Sequence, residues 1–168
     1  GWAILYDILN RRVDTLAERA FAPWSDMEEA LRNANIPLFS LESKHPLADF
    51  DLIGFSLPYE TLYTNALNIL DLSRIPIFSA GRSERHPLII AGGQAVYNPE
   101  PMHAFIDVFV IGEGEEIVEE IVETYKICKR SGASRSDLLG KLSQIWGVYV
   151  PFLYEARYNK DGVFGGIY

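Results

Sequence analysis

Cysteine is nearly absent: Cys128 is the single one in 168 residues. One thiol closes no disulfide within the chain and cannot by itself hold a cysteine-ligated metal cluster. Its place on an apolar helical face reads as a packed thiol rather than a nucleophile. Long apolar runs are missing too, and no signal-peptide pattern is present, so the expected location is cytoplasmic. Basic charge is in deficit, with 15 Lys plus Arg against 23 Asp plus Glu and a net charge of -8. That balance disfavours a nucleic-acid-binding face. Arg11-Arg12 and Lys129-Arg130 sit at expected helix ends, where they complement the dipole. No Ser-His-Asp order, paired-His motif or Walker loop occurs. No catalytic residue and no metal ligand is therefore assigned, and a self-contained catalyst is not expected.

What is present is an ordinary globular composition, 48% hydrophobic and 23% charged, in a length that suits one domain with a sizeable core. Helical spacing begins at once with Trp2, Leu5, Tyr6 and Leu9, so the sequence reads as starting inside an element, as a fragment. The expected order is a helix over 2–11, a short strand over Leu16–Ala22, and a helix opened by a capping box at Ser25-Asp26-Met27-Glu28. Leu38–Leu41 reads as a second short strand, and Asp51–Ser56 as a buried central parallel strand. A helix follows over Tyr59–Asp71, then a short extended segment at Ile75–Phe78. Strands over 88–91 and 106–111 lead into helices over 115–130 and 134–145, with Ser134 or Ser136 as candidate caps of the second. Val148–Tyr158 is strand-like, and Asn159-Lys160-Asp161-Gly162 turns it into Val163–Tyr168.

Alternating strands and helices predict a doubly wound α/β domain, a mostly parallel sheet covered on both faces. The expected division is an α/β domain over 1–146 and a strand-and-hairpin appendage over 147–168. A first strand ahead of the 2–11 helix is expected and absent, which leaves a sheet edge through which two chains could pair. In such a sheet the ligand edge lies at the carboxyl ends of the strands. Gly92-Gly93 follows one apolar run, and Gly112-Glu113-Gly114 follows the next and opens a helix whose free amides favour a polar or anionic group. Tight strand-to-helix turns explain these glycines about as well. Ser56 ends its strand at the same edge, placed to bond a ligand or to cap the next helix. Asn98, Glu100 and His103 follow the double glycine, and each lone histidine reads first as structural or solvated.

Taken together, ILYDILNRR, ERAFAPWSDMEEALR, DFDLIGFSLPYE, IIAGGQAVYNPEP, FVIGEGEE and GVYVPFLYE resemble the amino-terminal region of a radical SAM family of Fe–S oxidoreductases. That region resembles the cobalamin-binding-type domain placed ahead of many radical SAM catalytic domains, and the resemblance implies a flavodoxin-like, Rossmann-like fold. Ser56 matches the serine of its SxL motif, Gly92 and Gly93 its GG motif, and Gly112, Glu113 and Gly114 its GEGE turn. The leucine of SxL is Pro58 here, and the DxHxxG motif that supplies a cobalt-ligating histidine in some relatives is not in the sequence. The implied cofactors are cobalamin in this domain, and a 4Fe–4S cluster with S-adenosylmethionine in a catalytic domain elsewhere in the parent chain. The leading expectation is an accessory, non-catalytic domain whose partner is that radical SAM domain. The alternative is a structural or interaction domain with an empty cleft that docks on it. An FMN- or nucleotide-binding protein is the weakest option, because Gly112-Glu113-Gly114-Glu115-Glu116 is not a phosphate loop.

Overall fold

The structure, a computed structural model, describes residues 1–167; Tyr168, the end of the expected Val163–Tyr168 arm, lies outside the described residues. Four strands form the main sheet in the order β1 (Leu52–Ser56), β2 (Leu88–Gly92), β3 (Val108–Val110) and β4 (Val148–Tyr149). The first three are parallel, and β4 runs antiparallel beside β3. The expected open, mostly parallel α/β sheet is therefore present. Its inner strands are apolar throughout because helices cover both of their faces.

Side chains alternate between those faces. Leu88, Val108 and Val110 meet Ile117, Ile121, Leu138 and Leu142 from α4 (Gly114–Ser131) and α5 (Arg135–Leu142). On the opposite face Ile89, Ala91 and Phe109 meet Ala66 and Leu70 of α3 (Tyr63–Leu72). Each such Leu or Ile, fully buried, contributes about 1.5–3 kcal/mol. Leu31 of α2 (Ser25–Ala34) joins Leu38, Leu47 and Leu72 in a smaller cluster on that side. α1 (Trp2–Arg11) packs on α4, and none of its residues is fully buried.

Several expectations give way. Leu16–Ala22 joins no sheet and runs as a strap without regular secondary structure. The Leu41 amide donates to the Arg19 carbonyl at 2.8 Å, but the Arg19 amide donates to the Glu42 carboxylate at 2.8 Å. A side chain thus takes the place of the next strand. Leu38–Leu41 likewise forms only a single bridge, Phe39 to Pro46. The expected central strand is the edge strand β1, with β2 as its one neighbour. The expected short extended segment Ile75–Phe78 joins no ladder, and Arg82 takes the Pro76 and Ile77 carbonyls at 2.9 and 2.8 Å.

The capping box moves as well. Trp24 is the N-cap of α2 and its carbonyl accepts from the Glu28 amide at 2.9 Å. Ser25 is then already helical, one residue too late to cover a free amide. The box forms instead at α5, where the Asp137 amide donates to Ser134 Oγ at 3.1 Å and the Ser134 amide to Asp137 Oδ2 at 3.3 Å.

The strand-like stretch Val148–Tyr158 divides into β4, a 3-10 turn at Pro151–Leu153, and β5 (Ala156–Tyr158). β5 pairs antiparallel with β6 (Phe164–Ile167), the expected terminal hairpin, as a separate two-stranded sheet. Val150 between them is fully buried in the α4–α5 core.

Asp107 anchors the amino edge of the sheet. Its Oδ2 accepts from the Ile89 amide at 2.8 Å and from Arg135 at 2.8 Å, and faces Arg82 Nη1 at 3.1 Å. Arg82 also donates to the Phe105 carbonyl at 2.7 Å, so the 76–87 loop is fastened across the ends of β2 and β3. Burial pulls the Arg82 guanidinium below its ordinary value while Asp107 opposes the shift, and an arginine stays charged regardless. Removing one partner of such a buried set costs about 3–5 kcal/mol.

Candidate functional site

The three parallel strands end at one edge, and the loops that leave it define the candidate site. Ser56 closes β1, exposed, beside Gly92 of β2. Its hydroxyl caps no helix: a 3-10 turn at Glu60–Leu62 intervenes, and α3 has Leu62 as N-cap with no side-chain cap. Of its two expected roles, only contact with a ligand remains open.

The glycines divide by what surrounds them. A Cβ on Gly92 would make ordinary contact with the Val110 carbonyl oxygen, at 3.8 Å. One on Gly93, where φ is +115°, would stand 2.6 Å from the Leu57 carbonyl oxygen. The loops after β1 and β2 lock together there, since Leu57 N–H donates to Gly92 at 2.7 Å and Ala95 N–H to Leu57 at 3.0 Å. Gly93 therefore has a packing reason that holds with or without a ligand. Gly112 is different: φ is +110° and nothing lies within 4 Å of the Cβ position. Glu113 is the N-cap of α4 and Gly114 its first residue, with Leu5 of α1 at 3.8 Å from the Gly114 Cβ position. Free amides at this helix end attract negative charge, but Glu113, Glu115 and Glu116 already supply it.

The structure thus brings Ser56, Gly92 and Gly112–Gly114 to one edge, with Gly93 turned into the loop contact. Two aromatic residues not singled out from the sequence stand there also, Tyr59 after β1 and Tyr97 after β2, both exposed. The available signal was their position, an aromatic residue soon after each strand end. Glu100 is engaged from the far side: the Tyr149 hydroxyl donates to Glu100 Oε1 at 3.1 Å. Burial, then the Glu100 carboxylate, push the Tyr149 phenol up to about 12. The Tyr149 ring also lies 6.1 Å from Phe109 and 5.2 Å from Tyr154, a ladder that ties β4 to the sheet. Asn98 N–H donates to Ala95 within its own loop.

The histidines serve their own loops. His45 Nδ1 lies 2.7 Å from Ser43 Oγ, His86 Nδ1 accepts from the Ser83 amide at 3.0 Å, and His103 Nδ1 lies 2.6 Å from the Glu100 carbonyl. A concavity of about 160 Å³ lined by Leu16, Glu18, Ser43, His45, Asp49 and Phe50 opens at the opposite, amino end of β1. Of its two carboxylates, Glu18 is already engaged, because it accepts from Ser43 N and Oγ at 3.1 and 2.6 Å. Hydrogen bonds from Ser40 and Ser43 hold Glu18 below the usual carboxylate range. Strand topology, not this hollow, marks the edge with ligand-binding geometry. Cys128 is buried among α4 and α5 and unavailable to a cluster, and among the described residues no group of three His, Cys, Asp or Glu is placed to hold a metal. Among them, too, no helix is long and apolar enough to cross a membrane.

An open, mostly parallel sheet between helical layers, with its glycine-bearing loops gathered at the carboxyl edge, places the chain in the mixed α/β class. The profile of the family described as "Radical SAM proteins, N-terminal" matches residues 1–151, and the chain belongs to that family. It is also similar to the uncharacterized protein MJ0966 of Methanocaldococcus jannaschii, 30% identical over 94 residues. That match covers 54% of this chain and 20% of MJ0966, so the chain spans about a fifth of its relative. No solved structure matches.

Proposed function

We propose that the chain is the accessory domain of a radical SAM iron–sulfur protein, with a cobalamin-like ligand bound at the carboxyl edge of a flavodoxin-like sheet. The 4Fe–4S cluster and S-adenosylmethionine belong to a catalytic domain outside residues 1–168, since Cys128 is buried and single. The family match over residues 1–151 carries the accessory-domain reading, and the motif resemblance at Ser56, Gly92, Gly93 and Gly112–Gly114 is what suggests the ligand. Ser56 and Gly112 would hold the ligand: one offers an exposed hydroxyl, the other an open backbone surface. Tyr59 and Tyr97, both exposed after the ends of β1 and β2, offer flat apolar faces.

A second reading, a docking domain with an empty cleft, is favoured by the packing at two glycines. Leu57 already fills the space over Gly93, and Leu5 leans on Gly114. Titrating the full-length protein with hydroxocobalamin, followed by absorbance and gel filtration, separates the two. Co-elution of the corrinoid, abolished by Ser56→Phe, is the expected result. No co-elution leaves the docking reading, and binding unchanged in Ser56→Phe moves the ligand to another surface.

A further inference from the structure

Where β3 ends and β4 begins, the carboxyl edge carries an exposed tryptophan on a rigid mount. Phe109 pairs with Tyr149 and Val110 with Val148, and Ile111 N–H donates to the Gly147 carbonyl at 2.7 Å. One residue further out along the two chains stand Gly112 and Trp146. Gly147 is wedged in place: its φ is +81°, and a Cβ there would lie 2.9 Å from Ile117 Cδ1 and 3.0 Å from the Ile111 carbonyl oxygen. On the other side Ile145 packs against the α4–α5 core. Its carbonyl accepts from Val148 N–H at 3.1 Å, closing a turn with Trp146 and Gly147 at the centre. The mount of Trp146 is thus fixed at both ends.

Trp146 is nevertheless 88% exposed. Among the described residues its indole has no ring neighbour and no hydrogen-bond acceptor. Aromatic rings in sheets often cover a nearby glycine. Here nothing lies within 4 Å of the Gly112 Cβ position, so the indole is not laid over it. The two residues form a notch, with bare backbone as its floor and an indole as its wall, at the edge where parallel strands meet ligands. A flat ring reaches both surfaces at once. Charge narrows its chemistry. Glu113 and Glu116 follow within a turn, exposed, and neither has an ion-pair partner among the described residues. Their carboxylates repel a phosphate and accept from N–H donors. We propose that Trp146 is a further ligand-contacting residue of the carboxyl-edge site, and that it meets the flat macrocycle of a corrinoid, with its rim of amide donors, rather than the phosphate-bearing tail. This role of Trp146 rests on the cobalamin-like ligand proposed above.

Two probes test this on the full-length protein by absorbance titration: hydroxocobalamin, and dicyanocobinamide, which keeps the macrocycle and lacks the phosphate and base. Trp146→Ala is expected to weaken both by about tenfold or more, and Trp146→Phe, which keeps a flat ring, by no more than about threefold. Trp146→Ala should leave the unfolding midpoint within about 2 °C, because the indole has no partner to lose, so weaker binding is not a folding defect. Unchanged affinity of Trp146→Ala for hydroxocobalamin would overturn this role while the cobalamin-like ligand stands, and would leave the indole to the docking of a neighbouring domain. A loss confined to hydroxocobalamin would overturn it as well, since Trp146 would then touch the tail. If the wild type binds neither probe, the cobalamin-like ligand itself falls, and the role of Trp146 with it.

Discussion

Gly93 and Gly112 read alike in the sequence, each a glycine just past an apolar run, and in space they do opposite things. Gly93 lets a backbone oxygen come close; Gly112 leaves a surface bare. Gly93→Ala should therefore cost at least about 3 kcal/mol, adding a steric clash to the strain of a positive φ, which alone is worth about 1–3 kcal/mol. Gly112→Ala meets no neighbour and should cost only about 1–2 kcal/mol of backbone strain. Urea unfolding at constant m value measures both. Equal losses would mean that the Leu57 contact is not what Gly93 serves. The sequence shows that a position lacks a Cβ; it does not show what stands where the Cβ would be. That needs the register of β1 against β2, which no local pattern encodes.

Elements were legible in proportion to how little they depend on distant partners. The 88–91 run, the long amphipathic α4 and the turn at Asn159–Gly162 declare themselves by composition and period, and the structure has all three. Leu16–Ala22 alternates as a strand should, but alternation reports a half-buried face rather than a neighbour, and Glu42 occupies the neighbour's place. The apolar middle of β1 reads as that of a central strand, while edge or centre is decided by what else the sheet recruits. Ser25 heads the expected capping box and Ser134 is one of two candidate caps, and which serine covers an amide depends on where the first helical residue falls. Ser134→Ala should destabilise by about 1 kcal/mol, because the Asp137 amide loses its acceptor. Ser25→Ala, at a position already inside α2, should stay within about 0.5 kcal/mol. Thermal unfolding of the two variants distinguishes them, and a larger loss at Ser25 would return the cap to the amino end of α2.

At the scale of the whole molecule, α1 and the strap are held to α4 by charge as well as by packing. Asp14 accepts from Lys126 and, at 3.1 Å, from Arg12 Nε, while Arg12 also reaches Glu123. The Lys126 hydrogen bond first, then that of Arg12, hold the Asp14 carboxyl well below the usual carboxylate range, at about 2. A carboxylate whose folded-state pKa is depressed adds stability above its unfolded value, near roughly pH 4, and loses it as pH falls through the folded value. For Asp14 that window runs from about pH 4 down to about pH 2. Other depressed carboxylates, Glu18, Glu28, Glu42 and Asp137 among them, share the acid side, so the contribution of Asp14 must be isolated by difference. Asp14→Asn should unfold at a lower temperature than wild type at neutral pH, and the two curves should converge as pH approaches 2. Hydrogen exchange should show the same convergence in residues 12–16, where the strap leaves α1. Parallel curves across the window would mean that packing of Leu5 and its neighbours holds the amino-terminal layer without help from the ion pairs. Convergence would place the electrostatic hold on that layer in Asp14, at the end of α1 remote from the ligand edge.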